Sequence, residues 1–175
     1  QPALRLERLQ ARLRWQRQAD GWVLQVPKLR LQGEDGAQQL DGLQVRMGRQ
    51  LQISSGAVQA GTAVRALALS DRMNPGLRRW LYLARPQLDL AALQLRGQRG
   101  GPLGAQGELQ SLGFASVAGA PGLRGLGGRF EGDAEGFSLQ LQPQRQLQSD
   151  WPSGFGVRHD LHLAGQVVGW RDEAG

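Results

Sequence analysis

Gly21-Trp22-Val23-Leu24-Gln25-Val26-Pro27-Lys28-Leu29-Arg30-Leu31 decides how this chain is read. Trp22, Leu24 and Val26 alternate with Val23, Gln25 and Pro27, a period of two that belongs to a strand with one apolar and one polar face. The pattern resumes at Leu29 and Leu31, one step out of phase. Proline cannot donate a ladder hydrogen bond, so a bulge or an edge at Pro27 is expected. The preceding stretch, with Leu9, Ala11, Leu13 and Trp15, alternates in the same way and turns at Ala19-Asp20-Gly21.

The same period continues outward along the chain. Leu43, Val45 and Met47 form one run, Leu51 and Ile53 another, followed by Leu88 and Leu90, then Leu93 and Leu95. Phe137, Leu139 and Leu141 form a later run, and Leu161 and Leu163 the last. Gly33-Glu34-Asp35-Gly36, Gly100-Gly101-Pro102 and Gly132-Asp133-Ala134-Glu135-Gly136 supply turns between them. This predicts an antiparallel meander. One stretch departs from it. Ser70 to Asn74 offers N-caps, Pro75 suits a first helical turn, and Leu77, Trp80, Leu81 and Ala84 follow helical spacing until Pro86. A short amphipathic helix over residues 75–84 is expected, with Leu77, Trp80 and Leu81 inward as a plug and Arg78 and Arg79 outward. Leu13-Arg14-Trp15 is echoed by Val168-Gly169-Trp170, which suggests about one unit of a repeating array.

Composition bounds the chemistry. The 175 residues carry 21 Lys+Arg against 15 Asp+Glu, a net charge of +6, with 40% hydrophobic residues, 26 glycines and no cysteine. Thiolate metal sites, disulfides and cysteine nucleophiles are excluded. No apolar run approaches the roughly 20 residues of a membrane-spanning helix. The two histidines, His159 and His162, lie three apart on a strand and point to opposite faces, so they share no metal. The acidic residues show no spacing that selects an acid/base pair. Gly122-Leu123-Arg124-Gly125-Leu126-Gly127-Gly128 lacks both the G-x-G-x-x-G order and a P-loop ending, and reads as a glycine-rich turn entering a hairpin. The sequence pI of 11.3 raises nucleic acid. The arginines are spread through nearly every strand rather than gathered in a patch, and no nucleic-acid-binding motif is present. Neither an enzyme, a cofactor nor a specific nucleic-acid partner is expected.

A sheet with one apolar face must cover it, by a second sheet, by closure, or by curling around a ligand. The expected fold is mostly β: a curved antiparallel sheet forming an open, taco-shaped groove. Leu13, Leu24, Val26, Leu43, Val45, Leu139, Leu141, Leu161 and Leu163 are expected to line it as one continuous concave face without an ionised group. Both chain ends lie inside or beside alternating patterns, so residues 1–175 are read as a single internal segment of a longer protein. Its parts are strands over 1–70, the helix region 71–86 and strands over 87–175. The alternative is a sealed β-sandwich or β-solenoid serving as a structural or interaction module of a cell-envelope protein.

The chain also resembles a family. Pro121-Gly122-Leu123-Arg124-Gly125-Leu126-Gly127-Gly128, the strand Glu135-Gly136-Phe137-Ser138-Leu139, then Trp151-Pro152, Phe155 and Leu161-His162-Leu163-Ala164-Gly165-Gln166-Val167-Val168-Gly169-Trp170 resemble the YhdP-like branch of the AsmA-like, TamB-related proteins. Leu13-Arg14-Trp15, Gly21-Trp22-Val23-Leu24 and Leu29-Arg30-Leu31 fit the same order of elements, whereas Pro86-Gln87-Leu88 lacks the glycine expected after that proline. The resemblance implies a periplasmic section of a protein anchored in the inner membrane of a Gram-negative bacterium. It implies repeating β-groove units, with neighbouring repeats of the same chain as partners and the membrane reached through parts outside this segment. It implies phospholipid acyl chains as cargo, carried between the inner and outer membranes in support of outer-membrane integrity.

Overall fold

A computed structural model describes residues 6–33, 36–61, 64, 73–98, 100–142 and 146–171. Thirteen strands form one antiparallel sheet. They are β1 (Leu6–Ala11), β2 (Arg14–Gln18), β3 (Gly21–Gly33), β4 (Gly36–Met47), β5 (Gln50–Ser55), β6 (Val58–Gln59), β7 (Gln87–Gln98), β8 (Leu103–Phe114), β9 (Gly122–Gly132), β10 (Gly136–Leu141), β11 (Gln146–Asp150), β12 (Arg158–His162) and β13 (Gln166–Trp170). Helix α1 (Pro75–Ala84) lies in the connection between β6 and β7.

The thirteen strands reduce to nine rungs. β1 and β2 both pair with β3, β5 and β6 both with β4 and β7, and β10 and β11 both with β9, while β12 and β13 continue that order. Four pairs of segments are therefore single rungs broken near their middle. Rung order in space equals order in sequence, as the alternation predicts. Among the described residues the first and last rungs do not pair, so the sheet is open. Turns after β2, β4, β7 and β9 form one edge, here the upper. Turns after β3, β8 and β11, with the α1 connection, form the lower.

The phase change at Pro27 has a structural counterpart. Ala11 pairs with Leu29 and Arg14 with Gln25, three steps on the first rung against four on β3. The extra residue faces the break between β1 and β2, where the missing N–H of Pro27 meets no continuous partner strand. On its other side β3 keeps one register with β4 from Trp22–Met47 to Gly33–Gly36. The same step recurs along the sheet, because Leu90 and Leu93 of β7, and Leu109 and Leu112 of β8, belong to one hydrophobic cluster although three residues apart. Register shifts fall between those positions in both strands. Gly42 (φ +64°) and Gly125 (φ +83°) take the left-handed backbone at the corresponding places in β4 and β9. A line of one-residue steps thus crosses the rungs near mid-height. Each step bends its strand and increases its twist, and the line curves the sheet about an axis perpendicular to the strands.

The helix begins and ends as its sequence indicates. Asn74 Oδ1 accepts from the Gly76 N–H at 2.8 Å, and Arg85 closes the helix in the left-handed conformation (φ 46°, ψ 59°) before Pro86. Helical backbone is also present at Gly61 and Val64, so part of this connection departs from strand earlier than the caps at Ser70 to Asn74 suggest. Ser70, Asp71 and Arg72 lie outside the described residues.

Candidate functional site: the apolar face of the sheet

Cross-strand partners point to the same face, so the register defines continuous rows. One row runs Trp15–Leu24–Val45–Ile53–Leu95–Ala105–Gly132–Phe137–Gly169 and crosses all nine rungs. The row beside it, one residue along each strand and on the opposite face, is Arg14–Gln25–Gln44–Ser54–Gln94–Gln106–Glu131–Ser138–Val168. A second apolar row runs Ala11–Leu29–Leu40–Val58–Leu90–Leu109–Gly128–Leu141, below the steps as far as β7 and above them from β8 onward. Neither apolar row contains an ionisable side chain.

Burial is greatest beside the line of steps. Val58, Leu90, Leu109 and Leu139 form the buried cluster, with Leu40, Leu88, Leu93, Leu112, Leu126, Phe130 and Leu141 packed against it. Each fully buried aliphatic side chain contributes about 1.5–3 kcal/mol relative to exposure. One polar atom interrupts this lining. Ser55 is level with Leu93, and its hydroxyl is buried without a hydrogen-bond partner among the described residues.

The face is built in two ways. Over β3, β4 and β5 large side chains stand side by side: Trp22, Leu24, Val26, Leu43, Val45, Met47, Leu51 and Ile53. Over β8 to β13 glycine alternates with phenylalanine. A Cβ on Gly107 would lie 2.8 Å from Phe130 Cζ, and one on Gly132 would lie 2.9 Å from Phe137 Cβ. The ring of Phe137 also occupies the place of a Gly169 side chain. The phenylalanines lie across the glycines and fill the surface those residues leave bare.

The expected lining residues separate into three groups. Leu24, Val26, Leu43, Val45, Leu139 and Leu141 share the apolar face, and Val26 is only 2% exposed. Leu161 reaches the same face through its pairing with Leu147, which is buried. Leu13 and Leu163 instead fall in the breaks of the first and last rungs, where they are 68% and 44% exposed. They are not part of the packed lining. The alternation that selected them includes positions at which the strand is interrupted. Trp15 and Trp170 do not correspond either. Trp15 shares the row of Leu24, whereas Trp170 pairs with Gly136 on the polar side.

In α1, Leu81 and Ala84 are buried and Trp80 packs edge-on against Phe114 with ring centroids 5.3 Å apart. Leu77 is 48% exposed, contrary to the expected plug, because the helix packs through its C-terminal half. The Gly122–Gly128 stretch, expected to be a turn, is the body of β9 in the middle of the sheet. The residues missed were Leu40, Val58, Leu90, Leu109 and Leu126. Their signal was present as the three-residue spacing that recurs at Val26–Leu29, Leu40–Leu43, Leu90–Leu93 and Leu109–Leu112.

Ser55 apart, charged and ring-nitrogen groups among the described residues approach the face at its margins. Arg17 pairs with Trp22 at the upper edge of the first rung. At the lower edge the row Phe114–Leu123–Ser149–His159 brings an imidazole to the apolar side. His162 pairs with Gln146 and points the other way, so the two histidines are on opposite faces. The larger hollows, of about 480 and 600 Å³, share Gln94, Gln106, Glu131 and Ser138 in their linings. These are polar-face neighbours in register, and the hollows are spaces between standing side chains, not chambers in the apolar lining.

A comparison with protein-family models matches residues 1–174 to the family described as YhdP protein. No curated protein and no solved structure matches the chain.

Proposed function

The chain belongs to the YhdP family, and on that premise we propose that it is a segment of a periplasmic hydrophobic groove that carries phospholipids between the inner and outer membranes. Acyl chains lie against the apolar rows, and neighbouring repeats of the same protein extend the groove at the two open edges. Anchorage in the inner membrane of a Gram-negative bacterium belongs to parts of the protein outside this segment. The segment catalyses no reaction and reads no nucleic-acid sequence. It supports outer-membrane integrity by conduction alone.

One observation carries this reading: an uncharged apolar row crosses nine rungs in register, beside a polar row of the same length, in a single open sheet. The sealed-sandwich alternative calls for a second sheet over the apolar rows, and the described strands all belong to one sheet. Affinity on such a surface follows buried CH₂ groups, at about 0.8 kcal/mol each, so head groups are discriminated weakly. Near-uniform sites also favour movement along the groove over tight retention.

The test compares two adjacent substitutions in the full-length protein. Leu141→Asp places a carboxylate in the second apolar row, where its hydration opposes acyl-chain packing. Gln140→Asp places the same charge on the exposed opposite face. Lipid transfer or outer-membrane integrity should fall with the first and stay near the parental level with the second, at equal protein abundance by immunoblot. Equal transport by the two variants would reject the groove in favour of a structural module.

A further inference from the structure

At the lower edge three segments are tied into one end surface. The Ala115 N–H donates to the Ala84 carbonyl at 2.8 Å, which with the Trp80–Phe114 contact joins α1 to the end of β8. The turn that follows β8 is joined in turn to the β11–β12 loop. Trp151 Nε1 donates to the Gly119 carbonyl at 2.6 Å, and Ser153 Oγ donates to the same oxygen at 3.0 Å. Phe155 then packs edge-on between Trp151 and His159.

The outward side of this surface is apolar and basic together. Arg79, Tyr82 and Leu83 are spaced i, i+3, i+4 and share the exposed side of α1. In the loop, Phe155 is 65% exposed, beside exposed Val157. Residues 75–85, 115–121 and 151–157 contain three arginines and no aspartate or glutamate. Tyr82 and Leu83 beside Arg79 on α1, and Phe155 in a loop whose flanking Asp150 is neutralised by Arg158 at 3.9 Å, fit the interfacial region of an anionic bilayer. The apolar tips enter the acyl boundary and the guanidinium groups meet phosphates.

We propose that this end of the sheet docks on an anionic lipid surface, with Tyr82, Leu83 and Phe155 as apolar anchors and Arg79 as a phosphate contact. The docking surface uses the outer side of α1 and the β11–β12 loop, so it stands independently of what fills the groove. The test is flotation of the protein with vesicles of phosphatidylethanolamine and phosphatidylglycerol, against vesicles of phosphatidylethanolamine and phosphatidylcholine.

The parent protein should bind the anionic vesicles, less so at high salt. Arg79→Glu should weaken binding about tenfold, and Leu83→Glu with Phe155→Glu at least as much. All three residues are exposed, and a thermal melt confirms that the variants fold. Gln140→Asp, on the polar face of the sheet and outside the docking surface, should leave vesicle binding unchanged. Equal binding to both vesicle types would overturn it, as would binding kept in both Arg79→Glu and the double variant. Absence of vesicle binding by the parent would also overturn it and leave the surface to a protein partner.

Discussion

The rungs β3 to β5 and the rungs β8 to β13 cover the same face by opposite means. In the first region every lining position but Ser55 holds a large side chain, and neighbours support one another across the strands. In the second, Gly107, Gly128, Gly132 and Gly169 leave the backbone bare, and Phe130, Phe137 and Leu139 spread across them. A carpet of standing side chains tolerates trimming, because each residue fills mainly its own place. A mosaic does not tolerate filling, because each glycine's place is already occupied by its neighbour. An unbroken apolar surface therefore does not require apolar residues at every position.

The most damaging change should be Gly128→Val, because its Cβ would collide with the Gln140 carbonyl of the adjacent strand. A backbone obstacle cannot rotate away, so the loss should be about 4 kcal/mol or more, read as a fall in the urea midpoint or as failure to fold. A neutral Gly128→Val would break the distinction between the two regions. Next is Phe130→Ala, which uncovers Gly107 as well as removing a ring, at about 3–5 kcal/mol. Leu24→Ala in the carpet should cost less, about 2 kcal/mol, since it removes a smaller half-buried side chain and uncovers no glycine. Reversal of that order in parallel denaturation curves would show that the carpet is the tighter region. The smallest effect is a gain. Ser55→Ala removes the buried hydroxyl that has no partner among the described residues, and should raise stability by about 1 kcal/mol. An unchanged or lower midpoint would show that the hydroxyl has a partner in solution.

This contrast also explains what the sequence revealed. Alternation was legible wherever the lining is aliphatic, and the meander order follows from it, while the helix bounds at Pro75 and Ala84 follow from capping, helical spacing and Pro86. β8 and β9 were obscured because glycine carries no apolar signal, and a strand such as Gly122–Gly132 reads locally as a turn. Its identity depends on the Phe130 and Leu139 side chains that complete its surface, the second of which lies on another strand. Leu13 and Leu163 were misplaced because a period of two continues through a strand break unnoticed. The line of steps was visible only at Pro27, where proline marks it. Elsewhere it is a three-residue gap between leucines, as at Leu90–Leu93, which gains meaning only when it recurs on successive rungs. Leu77 was placed inward by helical spacing alone, which carries no information about where the sheet stops beneath the helix.

The groove itself is tested most directly by contact with lipid. A photo-crosslinking amino acid at Leu95, in the apolar row that crosses nine rungs, faces the proposed cargo. At Gln94, its immediate neighbour, the same group stands in the polar row. With the full-length protein irradiated in cells and purified, phospholipid adducts should form at position 95 and be near background at position 94. Equal adducts at both positions, or none at position 95, would contradict the assignment of the apolar face as the lipid path.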